Sequence, residues 1–367
     1  MMKERRIMKI PSFDGYSLEG KLALPKGEDE VSKLVVFITG TGPSTYENRD
    51  IVDGTDVNMF EGFSNEFSKR GIAYFMHNQR GIHVNDNPPL FYDINVEEYL
   101  TYLPQNSIED ILYIINELQK DKRLKNSKVY LLGISEGTII STLFAEKYPD
   151  KVDALFLWGY VNINLRDTVI WQLNGGSFVP LFKEYFETDD AGRISKEAFE
   201  RGQKEVLVGL GLGDDAFEVC DANHDGYIDE EEMVALGKSL IGFDSETILT
   251  AIEKRDDEWL LDDSTLGGQK FTSGWFLQHL GMRNNIERLP ELSLPIHIFH
   301  GTLDMNCDVQ GVYDVYKRFQ KLGKTNLKIN VFKGYDHGLG VAQFLVTGEM
   351  PESIKAIFDA IDEMPLN

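Results

Sequence analysis

The stretch Lys128-Val-Tyr-Leu-Leu-Gly-Ile-Ser-Glu-Gly137 decides how this chain is read. Residues 129–132 form a short apolar run that leads straight into Gly-x-Ser-x-Gly, and a helical pattern follows over 138–148. A strand, this motif and a helix, in that order, predict a strained turn that lifts one hydroxyl, that of Ser135, off the carboxyl end of a sheet. Gly133 and Gly137 are expected there because a side chain at either position collides with a neighbouring element as the backbone folds under the serine. The helix that follows aims its unsatisfied N–H groups at any oxyanion formed on a substrate.

Outward from this turn the chain alternates between strand and helix patterns. A hairpin is expected over 8–24, with Asp14-Gly15 at its turn. Short, continuously apolar runs at 34–39, 72–76 and 154–158 have the character of strands buried on both faces. Between them, Phe60, Phe63 and Phe67 predict a helix over 58–70 that Gly71 stops, and Ile108, Ile111, Ile115 and Leu118 predict one over 107–119. The alternation resumes with strands at 296–299 and 327–332 and helices at 309–322 and 354–361. This pattern predicts an α/β fold with a mostly parallel sheet covered by helices on both faces, and an antiparallel edge from the leading hairpin.

The alternation divides the chain into a first core part at 1–160, an insertion at 161–285 and a second core part at 286–367. The chain is acidic, with a formal charge of −23 over 367 residues. The excess is concentrated: 183–263 carries 24 acidic against eight basic residues. Such a balance argues against nucleic acid or an anionic membrane surface as partner. Two cysteines, Cys220 and Cys307, make no disulfide framework. No apolar run approaches the length of a membrane span, and no apolar segment follows Lys3, Arg5 and Arg6 as a signal peptide requires. A cytoplasmic protein is expected, although a trimmed secretory signal is compatible with the same residues. Oligomeric state is not legible.

A serine hydroxyl needs a base, and the base needs an orienting carboxylate. With this turn, the expected chain order is serine, acid, histidine, the last two on loops after later strands. His337, in the glycine-rich segment Lys333-Gly-Tyr-Asp-His-Gly338, is the expected base. Asp304, directly after the penultimate strand, is the expected acid, with Asp308 as the alternative. His77 and His83 precede the serine, and His279, His297 and His300 lie in or beside apolar segments, where a structural role is expected. Two backbone N–H groups should form the oxyanion hole: that of Glu136 and one from Gly40-Thr-Gly-Pro43, for which Thr41 is the choice and Gly42 the alternative.

With these residues in place, the chain resembles the α/β-hydrolase superfamily, and within it a group of bacterial esterases. The likeness rests on the turn at Ser135, Gly40-Thr-Gly-Pro43, Arg80-Gly81 and Trp275-Phe276, and it extends over about 1–160 and 270–367. It implies hydrolysis of a carboxylic ester of a small-molecule acyl substrate through an acyl-enzyme, without an organic cofactor. Ile134 stands where many relatives have histidine. Thioesterase, peptidase and acyltransferase chemistry share the same residues, and a calcium-responsive binding protein on this scaffold is a further alternative.

The insertion carries a second pattern. Asp221-Ala-Asn-His-Asp-Gly-Tyr-Ile-Asp-Glu-Glu-Glu232 meets each constrained position of an EF-hand calcium loop. Asp221, Asn223 and Asp225 supply side-chain oxygens, Tyr227 its carbonyl, Asp229 a direct or water-mediated ligand, and Glu232 the closing bidentate carboxylate. Gly226 makes the sharp turn. Upstream, residues 187–198 have the shape of a partner loop, with Gly192 and Ile194 in register. Ala191 and Ala198 replace two ligands there, so an EF-hand pair over about 180–241 holding one Ca²⁺ is expected. Segments inserted at this point usually cap the serine in such folds. Phe178, Leu181, Phe182 and Trp171 are candidate pocket lining, and cap packing accounts for them equally well.

Overall fold

The computed structural model describes residues 3–203, 205–208, 210–213, 215–241, 245–265 and 270–366. Eight strands build one sheet: β1 (Lys3–Pro11), β2 (Ser17–Pro25), β3 (Lys33–Ile38), β4 (Ala73–His77), β5 (Lys128–Ile134), β6 (Ala154–Trp158), β7 (Ile296–Gly301) and β8 (Leu327–Phe332). Their spatial order is β1-β2-β4-β3-β5-β6-β7-β8. The leading hairpin is antiparallel and joins β4 antiparallel; every pairing from β4 to β8 is parallel.

Strand periodicity splits the core into two layers. Leu34, Val36, Leu131, Leu155 and Leu157 face the helices Pro104–Leu118, Glu136–Lys147 and Gln310–Lys321. Val35, Phe37, Tyr130, Leu132, Phe156 and Trp158 face the helices Met59–Lys69 and Glu352–Asp362. Successive residues point to opposite faces and both faces are covered, so the strands read as unbroken apolar runs. At the hairpin end, the buried guanidinium of Arg80 pairs with Asp14 at 2.6 Å and Asp110 at 2.7 Å. It ties the hairpin turn to the sheet, which gives Arg80-Gly81 a structural place away from the serine.

The expected elements form, with shifted ends. The helix expected from 107 starts at Pro104, where proline fits a first turn that needs no N–H donor, and the helix after the serine starts at Glu136. A helix at Val341–Thr347 and two strand pairs, Arg49–Val52 with Thr55–Asn58 and Ile82–Val84 with Tyr92–Ile94, are too short to show a period.

Between β6 and β7 the segment is largely helical and has its own apolar cluster, including Phe182, Phe186, Ile194, Phe199, Phe217, Ile228 and Met233. Within it Ile194 and Ser195 pair antiparallel with Ile228 and Tyr227. Phe178, Leu181 and Phe182 belong to this cluster and do not line the serine cavity. Their apolar face is spent on packing the segment itself. No helix among the described residues is long and apolar enough to cross a membrane.

Candidate active site

Ser135 sits between β5 and its helix at φ 54°, ψ −120°, a conformation that costs energy for any residue with a Cβ. The surroundings enforce it. A Cβ on Gly133 would lie 2.3 Å from the Gly137 carbonyl oxygen, and one on Gly137 would lie 2.2 Å from that of Ile38, so only glycine fits at either place. The Ser135 N–H donates to the Trp158 carbonyl at 2.9 Å, fixing the turn to the neighbouring strand.

His337 and Asp304 come together as expected. The imidazole Nδ1 lies 2.7 Å from Asp304 Oδ2. Asp304 is fully buried, and its other oxygen accepts the N–H groups of Asn306 and Cys307, each at 2.9 Å. That acceptor pattern leaves Nδ1–H as the donor to Oδ2 and Nε2 free for the cavity. The ring packs on Gly159, where a Cβ would lie 2.6 Å from Cε1, and the His337 carbonyl accepts the Trp158 indole N–H at 2.9 Å. Burial by itself lowers the His337 pKa; the Asp304 carboxylate outweighs it, and the net direction is upward. Asp304 is pushed up by burial and down by the imidazole, with a net downward shift.

Asp308, the alternative acid, accepts the Gln310 N–H at 2.8 Å and lines a separate cavity of about 210 Å³. His300 is a neighbour that the sequence gives no reason to place here. Its Nδ1 accepts the Tyr160 N–H at 3.0 Å, so Nε2 carries the proton, which it shares with the Cys307 carbonyl at 2.9 Å, 3.4 Å from Asp304. Burial lowers its pKa, which keeps the ring neutral. Cys307 stands within 4.8 Å of Asp304 and His337, and burial raises its thiol pKa.

Ser135 and His337 open into one cavity of about 510 Å³. Its walls are the 39–44 loop, Met59, Trp158, Phe271 and, from the insertion, Leu165, Thr168, Val169 and Gln172. The loop presses on the serine: a Cβ on Gly40 would lie 3.1 Å from that of Ser135. Neither the Thr41 N–H nor the Gly42 N–H donates to another group among the described residues, so both are available to a ligand. Glu136 heads its helix, where N–H groups find no partner within the helix.

The Glu136 side chain is a feature the sequence conceals. It is wholly buried and accepts hydrogen bonds from Trp275 Nε1 at 2.7 Å and Tyr102 Oη at 3.4 Å, with His279 Nε2 at 3.1 Å. Tyr102 in turn accepts from Gln79, whose carboxamide also donates to the Gly40 carbonyl and accepts the Ser44 N–H. The Trp275-Phe276 element thus anchors the residue next to the serine from below.

In the insertion the residues of 221–232 form a tight loop. Asp221 accepts the Asp225 and Gly226 N–H groups, Asn223 that of Asp225, Asp225 that of Tyr227, and Asp229 that of Glu232. Glu232 reaches back to the Asn223 and Asp229 N–H groups, both at 3.1 Å. Among the described residues these acidic groups do not gather three at a time within 4.8 Å, and each of Asp221, Asp225, Asp229 and Glu232 accepts from backbone donors. Asp221 and Glu232 are nevertheless buried, and among the described residues neither forms an ion pair. In the 187–198 loop the guanidinium of Arg193 pairs with Asp189 at 2.9 Å and lies 4.1 Å over the Tyr227 ring.

Comparison with known proteins agrees with this architecture. A family model described as alpha/beta hydrolase fold matches residues 33–206. The structure of Est1E from Butyrivibrio proteoclasticus with bound ferulic acid is similar at 14% identity, with 97% of each chain covered and a TM-score of 0.53. A thermostable carboxyl esterase from Bacillus coagulans, in complex with glycerol, is similar at 13% identity, with 99% of each chain covered and a TM-score of 0.54. No curated protein matches at the level of sequence. The chain has the alpha/beta-hydrolase fold.

Proposed function

We propose that the protein is a serine hydrolase that cleaves carboxylic esters through an acyl-enzyme. The observation that carries this reading is the Asp304–His337 pair, at 2.7 Å, opening into the same cavity as the strained Ser135. Ser135 Oγ attacks the ester carbonyl while His337 Nε2 takes its proton and then delivers it to the departing alkoxide. Water attacks the acyl carbon as the same nitrogen takes its proton, and the acid leaves as that proton passes to Ser135 Oγ. Asp304 holds the Nδ1–H tautomer and stabilises the imidazolium. The oxyanion meets the Glu136 N–H and that of Thr41 or Gly42, donors already oriented before the reaction. The Bacillus coagulans protein, whose structure is described as that of a carboxyl esterase, is in keeping with an ester as the acyl donor.

The reading includes a calcium ion held in 221–232. Two buried carboxylates without a cationic partner, ringed by further side-chain and carbonyl oxygens, suit a hard divalent cation that takes six to eight oxygen ligands. Asp221, Asn223, Asp225, Asp229, Glu232 and the Tyr227 carbonyl would hold it. Its bond to the loop would supply stability, and it would not touch the reacting atoms. In the partner loop Arg193 supplies a positive charge to Asp189, so one ion per chain is expected.

A fluorophosphonate should label the protein, and Ser135→Ala should abolish both labelling and hydrolysis of short-chain p-nitrophenyl esters. Labelling that persists in Ser135→Ala would refute the assignment. Turnover of thioester or peptide with higher kcat/KM than any ester would move the reading to another acyl donor.

A further inference from the structure

The acid loop after β7 leans on the insertion. Leu303 and Met305, on either side of Asp304, pack against the insertion's apolar cluster, while Asp304 between them turns back to His337. Thr302 Oγ donates to Glu184 of the helix Phe178–Tyr185 at 2.5 Å, and accepts the Gly334 N–H at 2.8 Å. One hydroxyl therefore joins the acid loop, the histidine loop and the insertion.

The same loop is tied a second time. Gln172 lines the serine cavity, and its Nε2 donates to the Asn306 carbonyl at 2.6 Å. Gln172 opens a turn ending at Gly176 that meets the helix Glu230–Ile241 backbone to backbone. A Cβ on Gly237 would lie 2.5 Å from the Gly175 carbonyl oxygen, and one on Gly175 would lie 2.1 Å from that of Val234. Backbone meets backbone here with the Phe178 ring packed alongside, so a shift of the helix displaces the turn. The first turn of that helix contains Glu232, the closing ligand of the calcium loop, and Glu230, whose carboxylate pairs with Lys183 beside Glu184 at 2.8 Å.

We propose that the insertion positions the acid: Thr302 and Gly237 are positioning residues for the Asp304–His337 pair, and calcium in 221–232 is felt at that pair through them. The proposal rests on the esterase and calcium readings above. It makes the insertion part of the reaction's geometry as well as a wall of the cavity. Because coupling between two sites is reciprocal in binding free energy, a change at Ser135 must also be felt at the calcium loop.

The test is calorimetric titration of Ca²⁺ into the full chain, free and after labelling of Ser135 with a fluorophosphonate. Labelled protein should bind calcium with an affinity changed by about fivefold or more. Gly237→Ala should still bind calcium, with that difference gone. Thr302→Val should lower kcat several-fold at unchanged KM and move the acid limb of the pH profile downward, and Thr302→Ser should restore both. If Gly237→Ala does not fold, the Thr302 series decides alone. Equal affinity in free and labelled protein, or a Thr302→Val profile like that of the parent, would overturn the proposal. Failure to label points instead to the esterase reading, and failure to bind calcium to the calcium reading; either also overturns the coupling.

Discussion

Two histidine–carboxylate pairs flank Ser135, and they differ in what surrounds them. Asp304–His337 lies at 2.7 Å with the imidazole side chain 19% exposed at the cavity wall. Glu136–His279 lies at 3.1 Å with both side chains at 1% exposure or less. The first imidazole has its free nitrogen at a cavity shared with a serine. The second lies beneath the turn, beside Trp275 and Tyr102, and does not line the serine cavity. Similar chemical groups face a cavity or lie wholly buried according to what packs around them. Geometry precedes basicity in assigning a general base.

That contrast breaks if both histidines matter equally to rate. His337→Ala should lower kcat by about 10⁴-fold or more while the melting temperature changes little. His279→Ala should lower the melting temperature and leave kcat within about tenfold. Steady-state kinetics beside thermal unfolding on both variants separates the two, and a larger rate loss in His279→Ala would reverse the assignment.

Asp304→Asn sharpens the comparison through pH. The acid limb of kcat/KM reports His337, and the Asp304 charge raises that pKa, so in the parent protein the limb should lie above the ordinary histidine value of about 6.5. Activity is lost as pH falls through the raised pKa, because the protonated imidazole cannot act as base. Removing the negative charge should move the limb to lower pH, with kcat down by about 10³–10⁴-fold. A limb that stays in place would mean that Asp304 does not set it.

On the other side of the turn, Glu136→Leu keeps the backbone N–H but leaves the Trp275 and His279 donors unmet. A stability loss of about 3 kcal/mol in urea unfolding is expected. A neutral outcome would show that the buried network adjusts without it.

The smallest effect concerns the calcium loop. Saturating Ca²⁺ at about 100 times Kd should add about 2.7 kcal/mol of stability, seen as a rise in melting temperature that Glu232→Gln removes. An unchanged melting curve with calcium would refute the site.

Ser135, its order relative to Asp304 and His337, and the alternation of buried strands were legible because each follows from local rules. A strained turn demands Gly133 and Gly137, and a buried strand demands an apolar run. The meeting of Asp304 with His337, 33 residues apart, was legible only as an expectation drawn from topology; their 2.7 Å contact depends on where β7 and β8 end. The Glu136 network was not legible at all, since nothing near position 136 tells a surface glutamate from one lodged under Trp275, 139 residues away. The lining of the cavity stayed open between pocket and cap packing for a related reason. The apolar face of 178–182 was visible, but which partner it would bury against is a matter of packing between distant segments. Sequence alone therefore determined the kind of chemistry, because reactive groups and backbone strain are written locally. Tertiary structure decided which groups are accessible and how the insertion touches the acid loop, because burial and contact come from residues far apart in the chain.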